Sequence, residues 1–211
     1  MSSPRGMLIT VHGLYSHAKW NMTLAPLATH QGWVYAPYIY DHNNARLLLN
    51  PYKRKQALQV FTNWLGDLQA TYPYPISILA HSYGTYLVAA YLQALKGAMR
   101  FNIDAIIFAG SIVTPHYDWP SLQGQGVGAV LNITSPKDQW VKFLAREHLQ
   151  KHLHEPLMGD SGLSGFVHTG SGFVSHLSEP RFDHYNVLGR EVIEGHLMPF
   201  FNAHLGKGQL N

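Results

Sequence analysis

Short apolar runs alternate with segments of helical periodicity along this chain, and that alternation limits the fold more than any other feature. Met7 to Val11, Trp33 to Ile39, Ile76 to Ala80, Ile103 to Ala109 and Val127 to Ile133 read as strands. Ile103 to Ala109 carries Ile106-Ile107-Phe108, the near-continuous apolar run that a sheet covered on both faces requires. Between the strands, residues near Trp20 to His30 can form a helix, and Asn50-Pro51 supplies a cap followed by proline at the first helical position. Ala57, Val60, Phe61, Trp64, Leu65 and Leu68 then recur at three-and-four spacing on one helix face. Helices are also predicted over Thr85 to Lys96, Gln139 to His152 and Asn186 to His204, and a further strand within Gly165 to His168 or Gly172 to Ser175.

Strand-helix-strand crossovers are right-handed and build parallel sheets with helices on both faces. The expected fold class is therefore α/β: a single doubly wound domain over residues 1–211, with a mostly parallel sheet of about six strands. Gly206 to Asn211 is expected to be a flexible tail. In such sheets ligands bind beyond the carboxyl ends of the strands, so the residues there become the candidates for chemistry.

Composition narrows the function classes. Hydrophobic residues make up 46% and charged residues 13%, which supports a packed core and argues against disorder. The net charge is +3, yet the one dense basic run is Lys53-Arg54-Lys55, which reads as a solvated helix face and not a nucleic-acid stripe. There is no cysteine, hence no disulfide, thiolate nucleophile or cysteine metal site. No His-Glu-x-x-His pair occurs, and the helical pair His148 and His152 has no obvious third ligand, so no metal or other cofactor is expected. No apolar run reaches the roughly 18 residues of a membrane span, and no signal core precedes Val11. The expectation is a cytoplasmic protein without a membrane span or nucleic-acid partner, its oligomeric state unspecified.

Ile76 to Ala80 passes through His81-Ser82-Tyr83-Gly84 directly into helical spacing. A serine hydroxyl is a poor nucleophile until a neighbouring base takes its proton. A tight strand-to-helix turn lifts it clear of the sheet and puts helix N–H groups behind it. The turn crowds the backbone, so the positions two before and two after must be small; here they are Ala80 and Gly84.

This stretch resembles the nucleophile elbow of the α/β-hydrolase family, with alanine at the first glycine, and looks most like that of the small lidless serine esterases and lipases. The resemblance implies further elements in order. Val11-His12-Gly13-Leu14 matches the family's oxyanion loop, whose donors would be the backbone N–H groups of Leu14 and Tyr83, with His12 structural. Thr134-Ser135-Pro136-Lys137-Asp138 follows the strand after which the family keeps its acid, implying Asp138, with Asp118 as runner-up. Phe182-Asp183-His184 stands before the last helix, implying His184 as the base over His168, His176 and His196. Tyr15 and the loop residues His116, Tyr117 and Trp119 are expected to line the substrate cleft. What this implies is a serine hydrolase cleaving small-molecule acyl esters through an acyl-enzyme with a Ser82-His184-Asp138 triad. The alternatives are a non-catalytic binding module on the same fold, or an acyltransferase or thioesterase using the same serine.

Overall fold

The computed structural model describes residues 4–16, 18–40, 46–98, 102–170 and 172–208. Six strands, β1 (Gly6–Val11), β2 (Trp33–Tyr38), β3 (Ile76–His81), β4 (Ile103–Ala109), β5 (Val127–Thr134) and β6 (Val174–Ser178), form one sheet in the order β2-β1-β3-β4-β5-β6. Every neighbouring pair is parallel, and Val11 at the end of β1 lies beside Tyr38 on one side and Ala80 on the other.

The first crossover, through α1 (Asn21–His30), sets β2 on one side of β1. The next, through α2 (Arg46–Leu49) and α3 (Pro51–Thr71), sets β3 on the other side. Crossovers of one hand that run in opposite directions lay their helices on opposite faces of the sheet. Met7, Ile9 and Val11 accordingly pack with Phe61 and Leu65 of α3 and with Leu87 and Tyr91 of α4 (Tyr83–Ala94). Leu8, Leu79 and Ile107, one residue out of phase, pack with Leu24 and Ala28 of α1 and with Ile193, Leu197 and Phe201 near the C-terminus. Each fully buried aliphatic side chain contributes about 1.5–3 kcal/mol. Residues Tyr83 to Leu92 are all buried, so α4 runs through the core beneath α3.

Asn50 caps α3 as the sequence predicts, its side chain accepting from the N–H groups of Tyr52 (2.9 Å) and Lys53 (3.2 Å). Arg54 lies not on a solvated face but in the interior. Its guanidinium donates to the carbonyls of Leu48 (2.6 Å) and Leu153 (2.8 Å) and pairs with Glu155 at 3.3 Å. It thereby ties α3 to α2 and to the end of α6 (Glu147–Leu153).

The predicted long helices are broken. The segment after β5 divides into α5 (Gln139–Leu144) and α6, and a short α7 (Ser161–Ser164) follows. The last helix becomes a 3-10 turn at Asn186–Leu188, α8 (Arg190–Val192), a π turn at Ile193–Leu197 and α9 (Met198–Ala203). The late strand is β6, shifted toward the C-terminus from both expected positions. Gly206 to Gly208 is not a free tail: buried Asp104 accepts from the N–H groups of Gly206 (2.7 Å) and Gly208 (3.0 Å). Residues 209–211 lie outside the described residues. Among the described residues no helix is long and apolar enough to cross a membrane.

Candidate active site

The sheet's direction of winding reverses between β1 and β3, and the loops leaving these strands part there to form a crevice. Ser82 leaves β3 at φ 53° and ψ −121°, a conformation that costs a non-glycine residue about 1–3 kcal/mol. The turn is held in it by Ser82 N–H donating to Ala109 O (3.0 Å) and by the Thr85 hydroxyl donating to Ser82 O (2.6 Å). Small residues are needed for contact reasons. A Cβ on Gly84 would stand 2.3 Å from the Val11 carbonyl oxygen, and one on Gly13 would stand 2.6 Å from Ser82 Cβ. Ala80, fully buried between Val11 and Phe108, does accommodate its methyl.

Of the four non-glycine residues with positive φ among the described residues, Tyr15, Ala18 and Ser82 all line the crevice. Strain of this kind gathers where structure serves function. Neither Leu14 nor Tyr83 donates a backbone N–H hydrogen bond among the described residues, and both line the same cleft as Ser82. Tyr83 N–H is the first of its helix and has no acceptor within it.

Asp138 caps α5, its Oδ1 accepting from Trp140 N–H (3.0 Å) and Val141 N–H (2.9 Å). Its Oδ2 lies 2.7 Å from His184 Nδ1. Asp138 is 0% exposed and His184 8%. One carboxyl group thus both caps α5 and holds the His184 ring. A carboxylate only accepts, so His184 carries its proton on Nδ1 and turns Nε2 outward. No hydrogen bond joins Ser82 to His184 among the described residues, although both line the cleft. Such contacts are often long in an empty site and tighten with substrate.

The other candidates are elsewhere. Asp118 is exposed and paired with Lys96 at 2.7 Å, which holds its carboxyl below the usual range. His176, on β6, accepts the Phe166 N–H at 2.8 Å, His168 faces His116, and His196 lies 3.8 Å from Glu179. His152 is bonded to the His148 carbonyl, its ring turned to its own helix. His12 stacks on Tyr40 at 4.2 Å, a packing role. Tyr117 and Trp119 do not line the cleft: Tyr117 donates to Ala89 O (2.8 Å), and Trp119 packs among Phe108, Phe166 and Phe173. The loop folds inward onto the helix-covered face because its two rings are too apolar to leave in water. His116 stays at the surface, away from the cleft.

Tyr15 does line the cleft, together with Leu14, Leu48, Ile112, Trp140, Phe143 and Tyr185. The sequence reading missed most of these, though Trp140, Phe143 and Leu144 follow Asp138 at three-and-four spacing on one face of α5. A second lobe, sharing Tyr15, His81, His184 and Tyr185, extends to Lys19, Thr23 and Arg190.

An open, all-parallel sheet with a strained serine after β3, an aspartate after β5 and a histidine after β6 defines a known class: the chain has the α/β-hydrolase fold. A protein of Xanthomonas campestris pv. campestris assigned to the alpha/beta hydrolase superfamily matches it with a TM-score of 0.59 at 13% identity, over 95% of this chain and 99% of that one. Esterase B from Lactobacillus rhamnosis matches with 0.57 at 16% identity, over 96% and 76%. Monoacylglycerol lipase from Paleococcus ferrophilus matches with 0.53 at 11% identity, over 97% of each chain. No protein-family model and no curated protein matches the sequence.

Proposed function

We propose that the protein is a serine hydrolase that cleaves small carboxylic esters with a neutral, apolar acyl group. The observation that carries this reading is the buried His184–Asp138 pair at 2.7 Å, opening onto the same cleft as the strained Ser82. In this reading Ser82 Oγ attacks the acyl carbonyl while His184 Nε2 takes its proton and Asp138 steadies the imidazolium. The Leu14 and Tyr83 N–H groups receive the oxyanion. His184 returns the proton to the departing alcohol; it then takes a proton from the water that attacks the acyl-enzyme and hands it to Ser82 Oγ as the acid leaves. No cofactor enters any step. The lobe lined by Leu14, Leu48, Ile112, Trp140, Phe143 and Leu144 carries no charged side chain and suits an apolar acyl group. The lobe with Lys19, Thr23 and Arg190 is the wetter path for the alcohol.

A fluorophosphonate reagent should modify Ser82 in the native protein, read by mass spectrometry; absence of labelling would point to the binding-module alternative. With p-nitrophenyl esters, Ser82→Ala and His184→Ala should each lose turnover by about 10⁴-fold or more, since such groups act as a unit. Parallel thioester and acyl-acceptor assays separate hydrolysis of esters from the thioesterase and acyltransferase readings.

A further inference from the structure

His81, the residue before the serine, is used by none of these steps. It is 3% exposed, beneath His184, with the two ring centroids 4.6 Å apart. Its Nε2 lies 2.8 Å from the main-chain carbonyl of His184. A carbonyl can only accept, so Nε2 bears the proton and the neutral ring leaves Nδ1 bare. Nδ1 has no hydrogen-bond partner among the described residues, and the Cβ position of Gly13 lies 3.3 Å from it. Burial, above all, and the neighbouring His184 hold this ring neutral.

We propose that His81 is a positioning residue whose Nε2–H sets the spacing between the turn that carries Ser82 and the loop that carries His184. The proposal rests on reading those two residues as nucleophile and base. The reason is connectivity. His81 and Ser82 are consecutive, so one hydrogen bond refers the backbone of His184 directly to that of Ser82. No other hydrogen bond joins residues of this turn to the 179–186 loop among the described residues. The loop's remaining anchors lead elsewhere: Phe182 O accepts from Lys137 N–H (3.1 Å), and Asp183 Oδ1 accepts from Tyr185 and Asn186 N–H within the loop. Asp138 fixes the far side of the imidazole, and His81 fixes the backbone beneath it.

Two polar variants test this without opening a large cavity. In His81→Gln the amide nitrogen falls near the position of Nε2 and keeps the donor; in His81→Asn it falls short. The His184 Nδ1–H donated to buried Asp138 should give a downfield imidazole proton in the NMR spectrum, assigned by its loss in Asp138→Asn. His81→Gln should retain that resonance, and His81→Asn should broaden or lose it while the near-ultraviolet circular dichroism stays native. Turnover of p-nitrophenyl esters should fall about 10²-fold in His81→Asn with KM within about two-fold, and recover in His81→Gln, as expected for a reacting group misplaced by an ångström. A retained resonance in His81→Asn, or equal losses in both variants, overturns the proposal. If the wild type hydrolyses no ester at all, the proposed function fails, and the resonance alone decides the role of His81.

Discussion

At the scale of single residues the conformation of Ser82 carries most of the meaning. A serine at φ 53° stores strain that only a surrounding structure can impose, and glycine would relieve it. Glycine also costs roughly 0.5–1 kcal/mol in chain entropy, less than the strain it removes. Ser82→Gly should therefore be more stable than Ser82→Ala by about 1 kcal/mol, read from urea midpoints, although both lack the hydroxyl. Equal midpoints would mean the turn is not strained in solution. Asp138 shows the opposite economy. One carboxyl group satisfies two helix N–H donors with one oxygen and the imidazole with the other, so the cap of α5 and the orientation of His184 stand or fall together.

Among the elements, α3 is the longest described helix and presses on the site through α2, where Leu48 enters the cleft. Its start depends on Asn50, since two of the first N–H groups have no other acceptor. Asn50→Ala should cost about 1 kcal/mol by chemical denaturation and leave ester turnover almost unchanged, because the cap lies outside the cleft. A loss of turnover much larger than the loss of stability would show that α2 shifts with it. The broken last helix matters in another way. Across its interruptions Val187, Ile193, Leu197 and Phe201 all pack against the sheet, in one cluster with Leu8, Leu79 and Ile107.

For the whole molecule, acid is the informative perturbation. His81 is held down to about 3 by burial first and by His184 second, against 6.5 for an ordinary histidine. His176 is lowered in the same direction by burial. Between the folded and unfolded values the unfolded chain binds protons that the folded chain does not, so stability rises with pH across that window and falls as acid is added. For His81 alone the slope approaches ~1.4 kcal/mol per pH unit below about pH 6.5. Urea midpoints measured from about pH 7 to about pH 5 should fall, and His81→Gln should flatten the decline. Parallel slopes would show that His81 titrates alike in both states. At high pH the buried tyrosines act with the other sign: Tyr35 is pushed up to about 12, and Tyr40, Tyr83, Tyr86, Tyr91 and Tyr117 are also raised, chiefly by burial.

How far this protein is legible from its residues follows from the range of the forces involved. Strand and helix periods, the Asn50 cap, and the small residues around Ser82 are written in neighbours a few positions apart, and the alternation they produce implies a parallel sheet with its ligands at the strand ends. The choice of Asp138 and His184 rests instead on the resemblance to the α/β-hydrolase family, which implies an acid just after this strand and a histidine just before the last helix. The meeting of these two, at a separation of 46 residues, belongs to the tertiary structure. So do the burial of Tyr117 and Trp119, the apolar cleft wall from α2 and α5, the pinning of Gly206 to Gly208 by Asp104, and the reach of His81 to the loop of its partner. Burial and hydrogen bonding across such separations depend on which elements pack together, and periodicity within any one of them carries no record of that choice.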